Sequence, residues 1–255
     1  MVKNVIAALV NAARALFTNW RTLASFVLVY AGLLASLYYF FTLSEARLWQ
    51  VGVSLLLALV APALFFAWQA MAVSYAQEGG ARLVVAARQF WKLLVVSLPI
   101  LVVAWLFSFA IGKAGQAMSQ HGDGWPTGAK GTALSGLWGL GMYALPLVAA
   151  HVWIAAVRTG IGPTFKGYGR SVVRAFSPRS ILTYVVGMIF FIAIPYALIV
   201  PRVPMKNAWA DLILLGARLA LALAFIFVGW VVTLGALSRL KFESLSQVSA
   251  PPMTS

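Results

Sequence analysis

Six long apolar segments decide what this chain can fold into. Each reaches about the twenty residues that an α-helix needs to cross the hydrocarbon layer of a bilayer, and each ends at charged residues, glycine or proline. Of 255 residues, 62% are hydrophobic and only 9% are charged, whereas a soluble domain carries roughly 25% charged residues. The sequence therefore predicts an all-α protein, a polytopic membrane helical bundle with about six transmembrane helices.

The span boundaries follow from the ends of these apolar segments. We place the six spans at residues 23–43, 51–73, 93–111, 134–157, 181–200 and 212–237. Residues 1–241 then form a single membrane domain, and the polar residues 242–255 are predicted to be a disordered cytoplasmic tail. The Gly-rich residues 112–131 lack apolar periodicity, which is typical of a flexible exposed loop. Four spans contain a proline that promotes a kink, namely Pro62, Pro99, Pro146 and Pro195.

The basic residues lie mostly on one side of the predicted spans. Of nineteen Lys and Arg, thirteen fall on the side that holds both termini, five fall on the other side, and Arg218 lies inside the sixth span. Loops rich in Lys and Arg stay in the cytoplasm, so both termini are expected there. A compact, cysteine-free and Arg-rich chain is typical of a bacterial inner (plasma) membrane. Because the cations lie in short loops, the expected partners are membrane lipids with anionic headgroups, not nucleic acid.

A basic amphipathic helix is predicted before each odd-numbered span. In the first, residues 2–21, helical spacing places Lys3, Arg14 and Arg21 opposite an apolar face. That face consists of Val2, Ile6, Leu9, Val10, Ala13, Leu16, Phe17 and Trp20. Residues 81–92 and 165–176 show the same arrangement, which indicates either an internal repeat or the common enrichment of Arg and aromatic residues at this interface. All three would lie at the cytoplasmic headgroup level. The candidate lipid headgroup contacts are Arg14, Arg21, Arg88, Lys92, Lys166, Arg170, Arg174 and Arg179.

Residues that carry chemistry are scarce. None of the five carboxylates lies deep within a predicted span, which argues against an intramembrane aspartyl protease or a carboxylate proton relay. The two histidines, His121 and His151, belong to different regions, and a zinc site needs more ligands. P-loop, nucleophile-elbow and His-Glu-x-x-His motifs are absent. We therefore predict no catalytic residues, no cofactor, no metal and no enzyme activity.

Three residues are candidates for an intramembrane polar site: Asp211, Arg218 and His151. Asp211 and Arg218 are seven residues apart on one helical face, and such a pair suits a headgroup or a substrate anion. The alternative is that Arg218 extends its charged end to the external interface. His151 is either a protonation switch or a neutral histidine that hydrogen-bonds a neighbouring helix. Small residues at four-residue spacing, including Gly216 and Ala220, would allow close approach within the bundle or against another chain.

The layout resembles two groups of six-span proteins. The order of interfacial helix, spans and basic connectors is similar to the membrane domain beside some bacterial glycerophosphodiester phosphodiesterases, a likeness in layout that carries over no catalytic residue. The length, the N-terminal helix and Glu78-Gly79 in the first internal cytoplasmic loop also resemble six-span permeases of ABC-type exporters. The second resemblance implies that a short helix in that loop engages a separate ATPase.

Two functions follow as the main hypotheses. The first is a non-catalytic inner-membrane protein that acts as a lipid-interacting or scaffold subunit, alone, as a homo-oligomer or with partner membrane subunits. The alternative is the permease subunit of an ABC-type exporter for an amphipathic or lipid-linked substrate. A membrane-embedded enzyme is a third hypothesis, which an assay of lipid turnover would test.

Overall fold

The computed structural model describes residues 1–43, 47–78, 83–119, 128–200 and 208–248. Within these ranges every regular element is a helix, and six helical segments are long and apolar enough to cross a membrane. These spans are Trp20–Thr42, Leu48–Tyr75, Leu83–Met118, Gly128–Thr159, Pro178–Ile199 and Trp209–Leu240. The predicted all-α polytopic bundle is confirmed, and the chain is a multi-pass membrane protein.

The helices are numbered in chain order. They are α1 (Val2–Thr18), α2 (Trp20–Thr42), α3 (Leu48–Glu78), α4 (Leu83–Ala87), α5 (Phe90–Met118), α6 (Gly128–Thr159), α7 (Ile161–Lys166), α8 (Tyr168–Ala175), α9 (Pro178–Met188), α10 (Ile194–Ile199) and α11 (Ala208–Val248). A five-residue π-helix, Ile189–Ala193, joins α9 to α10. A shorter helix thus directly precedes the span helices α2, α5 and α9, at the places where the sequence predicts interfacial helices.

Local capping sets two of these boundaries. Asn19 is extended, and its side-chain oxygen accepts hydrogen bonds from the backbone N–H groups of Arg21, at 3.1 Å, and Thr22, at 3.4 Å. Since Asn at this position starts a new helix, α1 ends at Thr18 and does not continue to residue 21 as predicted. Ser177 caps α9 in the same way, with Pro178 in the first turn, where its missing N–H costs nothing.

Two segments are more helical than the sequence analysis predicts. Helix α5 continues to Met118 and α6 begins at Gly128, so most of the predicted loop 112–131 extends the two flanking helices. Helix α11 continues to Val248, through residues 242–248 that were predicted to be disordered. In residues 112–118, Ala, Gln and Met favour helix and outweigh two glycines. In residues 242–248, Glu, Leu and Gln favour helix, and no glycine or proline interrupts it. The remaining parts of these predictions, residues 120–127 with His121 and residues 249–255, lie outside the described residues, as do Gly79 and residues 81–82.

The helices cluster into two compact units. The first unit comprises Met1–Trp91 together with the chain from Phe176 onward, and the second comprises Lys92–Ala175. In the first unit α11 is the central helix, because it packs against α1, α3, α9, α10 and the π-helix, while α2 packs against α3.

Aromatic rings fill the core of the first unit. Phe26 and Tyr75 are almost fully buried, and their ring centroids lie 5.4 Å apart in an edge-to-face arrangement. Trp68 stacks on Phe227 with centroids 6.2 Å apart. Large aromatic rings therefore make the main contacts among α2, α3 and α11. In lipid the hydrophobic effect does not drive helices together, so such close packing contributes to their association.

Side-chain hydrogen bonds connect the helices of the first unit. The hydroxyl of Tyr75 lies 3.3 Å from the carbonyl oxygens of both Ala12 and Val231, so its proton is shared between α1 and α11. The indole N–H of Trp230 donates to Oε1 of Gln69 at 2.7 Å, and Gln69 is only 1% exposed. A polar side chain inside an apolar bundle needs such a partner, so both contacts specify how the helices align.

The second unit is built from α5, α6, α7 and α8. The indole N–H of Trp153 on α6 donates to the hydroxyl of Ser97 on α5 at 2.7 Å, and that hydroxyl donates to the carbonyl of Leu93 at 2.6 Å. Both α7 and α8 pack against α6. A Cβ on Gly141 would collide with the ring of Phe107, so this glycine permits α5 and α6 to approach.

Candidate functional site

The predicted headgroup contacts are almost all exposed. In the first unit Arg14, Arg21, Arg88 and Arg179 have exposed side chains, and in the second unit Lys166, Arg170 and Arg174 do. Lys92 is half-buried. On α8, Arg170 and Arg174 are exposed, whereas Ser171 and Ala175 on an adjacent face of the helix are buried. Seven of the eight predicted cations are therefore accessible to an anionic ligand.

Helix α1 buries a different set of residues from the predicted apolar face. Its buried side chains are Val5, Ala8, Ala12 and Leu16, of which only Leu16 belongs to that face. Ala8 and Ala12 pack against Ala236 of α11, and only small side chains allow this close approach. Much of the predicted apolar face stays exposed on the chain's surface, namely Val2, Ile6, Val10, Phe17 and Trp20.

The three intramembrane candidates are divided between the two units. Asp211 is exposed in the first turn of α11, and Arg218 is half-buried two turns later on the same helix. His151 is 4% exposed and belongs to α6 in the second unit, whereas the other two belong to the first. No group of three or more potential metal ligands occurs among the residues for which the structure gives positions.

Tyr168, in the basic connector before α9, has an unusual environment. Its ring stacks on Phe165 with centroids 6.4 Å apart. Its hydroxyl is buried and has no hydrogen-bond partner among the described residues. Burial raises the pKa of the Tyr168 hydroxyl, because the phenolate would lose its hydration. The Tyr168 side chain is therefore neutral and packs against Phe165, and the charge of this connector comes from its Lys and Arg residues.

The first unit contains an apolar groove that the sequence analysis did not predict. It has a volume of about 330 Å³ and is lined by three residues of α1, two from α9 and the π-helix, and five of α11. Val10 and Phe190 lie at its edge and are 49% and 46% exposed, so the groove opens on the surface of the helix bundle. Among the described residues that line it, the only polar side chain is Thr233, whose hydroxyl already donates to the carbonyl of Gly229 at 2.6 Å.

Glycines and the π-helix shape this groove. A Cβ on Gly229 would lie 2.9 Å from the Cβ of Phe190 and 3.0 Å from the backbone nitrogen of Phe191, so α11 and the π-helix are in backbone contact there. A Cβ on Gly187 would collide with the side chain of Thr233. Pro195 cannot donate to the carbonyl of residue 191, which favours the wider π-turn before it. π-Helical segments of this kind often mark functional sites.

Sequence reasoning missed the groove because its residues are ordinary members of apolar spans. The proline at 195 was identified as a kink, but nothing in the sequence shows that the irregular turn faces Gly229 on another helix. The small-residue pattern at Gly216 and Ala220 pointed elsewhere on α11, where a Cβ on Gly216 would meet nothing within 4 Å. In the first unit, close approach occurs instead at Gly187, Gly229 and Gly235.

Comparison with known proteins adds no assignment to this geometry. No protein-family model, no curated protein and no solved structure matches the chain.

Proposed function

We propose that this multi-pass membrane protein binds anionic lipids through the exposed cations on and beside its short helices and serves as a non-catalytic lipid-interacting or scaffold subunit. The single observation that supports this proposal is the exposure of seven of the eight predicted headgroup contacts, at Arg14, Arg21, Arg88, Lys166, Arg170, Arg174 and Arg179. We place these residues on the cytoplasmic side of a bacterial inner membrane, as the distribution of Lys and Arg predicts.

The energetic basis is electrostatic. The chain has a formal net charge of +14, and a Lys or Arg close to an anionic leaflet contributes about 1 kcal/mol of attraction. Salt weakens this attraction over about 8 Å at physiological ionic strength, so only cations at the headgroups contribute fully. Lys166, Arg170 and Arg174 are the densest group of exposed cations, which makes them the best test of the proposal.

The test compares phosphatidylglycerol and phosphatidylcholine retained by the purified full-length protein, measured by mass spectrometry of the co-purified lipids. We expect the triple variant Lys166→Gln, Arg170→Gln and Arg174→Gln to lose several-fold of its preference for phosphatidylglycerol. Arg47→Gln is the matched control, because Arg47 is also exposed but lies at the other end of the first two spans. Equal preference in the wild-type protein and the triple variant would reject the proposal.

A second candidate is the permease subunit, which the short helix α4 favours. This five-residue helix follows the second span, and Val84 and Val85 on it are 70% and 56% exposed. In the exporters that the chain resembles, a short helix in this loop engages the ATPase. Co-purification of a stoichiometric nucleotide-binding protein, lost in Val84→Asp and kept in the control Val173→Asp, would support the permease. Val173 on α8 is a suitable control because it is 74% exposed.

A further inference from the structure

We infer that the groove between α1, the π-helix and α11 binds one acyl chain of an anionic phospholipid, whose phosphate is held at Arg14. This inference rests on the proposed lipid-binding function and deepens it, because it assigns a defined site to a lipid that the basic helices would otherwise attract without fixed geometry. The occupant is a single phospholipid, not a soluble substrate or a second copy of the chain.

The lining of the groove identifies the part of the ligand inside it. All lining side chains are apolar or glycine except Thr233, and the Thr233 hydroxyl already donates its proton to the carbonyl of Gly229. A polar ligand would lose its hydration here without gaining a hydrogen-bond donor. The volume of about 330 Å³ is at the lower end of ligand pockets, which suits one hydrocarbon chain.

The depth of the groove fits a chain below a headgroup. On α9, Gly187 lies eight residues after Arg179, and on α11, Thr233 lies six residues before Arg239. A helix rises about 1.5 Å per residue, so the groove begins about 9–12 Å along these helices from their basic ends. The headgroup region occupies roughly the outer 5–7 Å of each leaflet, so the groove lies at the level of the acyl chains.

The charge beside the groove identifies the headgroup. Val10 forms one edge of the groove, and Arg14 is four residues further along α1, so the two side chains are neighbours on the helix surface. Arg14 is exposed, as is Arg179 at the start of α9. A guanidinium group binds phosphate with two parallel hydrogen bonds. In a zwitterionic headgroup, the positive charge next to the phosphate weakens the attraction between that phosphate and the guanidinium. An anionic phospholipid therefore matches both the apolar lining and its charged border.

The experiment labels the site with a lipid probe. The full-length protein is reconstituted into nanodiscs that contain phosphatidylglycerol with a photoreactive diazirine in one acyl chain, and the crosslinked peptides are mapped by mass spectrometry. We expect saturable labelling of peptides that contain residues 9–13 and 225–233. Unlabelled phosphatidylglycerol should compete several-fold better than phosphatidylcholine with the same chains. Uniform labelling of all lipid-facing helices would overturn the inference.

Filling the groove provides the matched comparison. Ala13→Phe places a ring in the groove from α1 and should reduce this labelling at least fivefold, whereas Ala7→Phe makes the same change at an exposed position of α1 outside it. If Ala13→Phe fails to fold, Val10→Trp tests the same point at the half-exposed edge. Unchanged labelling in either folded groove variant would overturn the inference.

The headgroup assignment and the general proposal are separated by two further measurements. Arg14→Gln should reduce the preference for phosphatidylglycerol at the groove several-fold, and Arg47→Gln should not. If the protein retains phosphatidylglycerol but Ala13→Phe does not change labelling at the groove, the assignment of the groove is wrong and the general lipid-binding function stands. If no preference for phosphatidylglycerol exists anywhere, both are wrong. A dimer in native mass spectrometry that Ala13→Phe dissociates would assign the groove to a second copy and also overturn the inference.

Discussion

The two halves of α11 have similar compositions and different environments. In residues 208–221 the side chains of Leu212, Ile213 and Leu215 are more than half exposed, and a Cβ on Gly216 would meet nothing within 4 Å. In residues 222–240 Val231, Leu234 and Ala236 are fully buried, and Gly229 and Gly235 face neighbouring atoms directly. Leucine, alanine and glycine thus contact other helices in one half and the surroundings of the protein in the other.

The second half of α11 determines the specific packing of the first unit. The second half of α11 contacts the π-helix at Gly229, the Tyr75 hydroxyl near Gly235 and the small face of α1 at Ala236. The first half adds apolar surface that lipid can cover equally well. Substitutions should therefore have unequal effects along one continuous helix, and the following predictions test that expectation in order of decreasing size.

The largest effect is expected for Gly229→Ala. The new Cβ would lie about 3 Å from both the Cβ of Phe190 and the backbone of Phe191, and a backbone neighbour cannot rotate away. We expect a loss of about 2–3 kcal/mol in the free energy of unfolding, as for other overpacked cores. The measurement is unfolding in mixed micelles titrated with SDS. A loss below 0.5 kcal/mol, taken as roughly the scatter among surface substitutions, would contradict the contact.

The next effect is expected for Trp230→Phe, which removes the indole donor to Gln69. Gln69 is 1% exposed, so its side-chain oxygen would remain buried without this donor. We expect a loss of about 1–2 kcal/mol. The double variant with Gln69→Leu should recover part of that loss, because both polar partners are then absent. Additive losses in this double-mutant cycle would show that the hydrogen bond does not contribute to stability.

Tyr75→Phe should have a smaller effect. The hydroxyl shares one proton between the carbonyls of Ala12 and Val231 at 3.3 Å, which is long for a hydrogen bond. Both carbonyls can still accept bonds within their own helices, so we expect a loss of about 1 kcal/mol. Because the contact joins α1 to α11, protease protection of α1 should fall in parallel. Full protection of α1 in the variant would separate its docking from this hydroxyl.

The smallest effect is expected for Gly216→Ala, the matched control for Gly229→Ala on the same helix. Its Cβ would enter open space, and alanine is the better helix former by about 1 kcal/mol. We expect unchanged or slightly increased stability in the same titration. A loss comparable to that of Gly229→Ala would instead indicate that the first half of α11 packs against another chain, the alternative that the small-residue spacing leaves open.

The class of this protein and the number of its apolar helices follow from local properties of the amino-acid sequence. A segment of about twenty apolar residues has one low-energy solution in lipid, a helix whose backbone groups pair internally, and this requirement is local. The accessibility of Arg170 and Arg174 was predictable for a similar reason, since a charged side chain on a short helix stays at an interface. Polar caps such as Asn19 adjusted the helix ends by only a few residues.

Which face of each helix packs against its neighbours depends on contacts in the folded chain. The sequence assigned α1 an apolar face through Ile6 and Val10, whereas the structure buries Ala8 and Ala12 against Ala236. In the structure Gly229, and not Gly216, lies against the π-helix, and this contact forms one side of the groove. In lipid every apolar face is equally compatible with the solvent, so hydrophobicity cannot select one. The selection depends on the shape and hydrogen bonding of residues distant in sequence, and these meet only in the folded bundle.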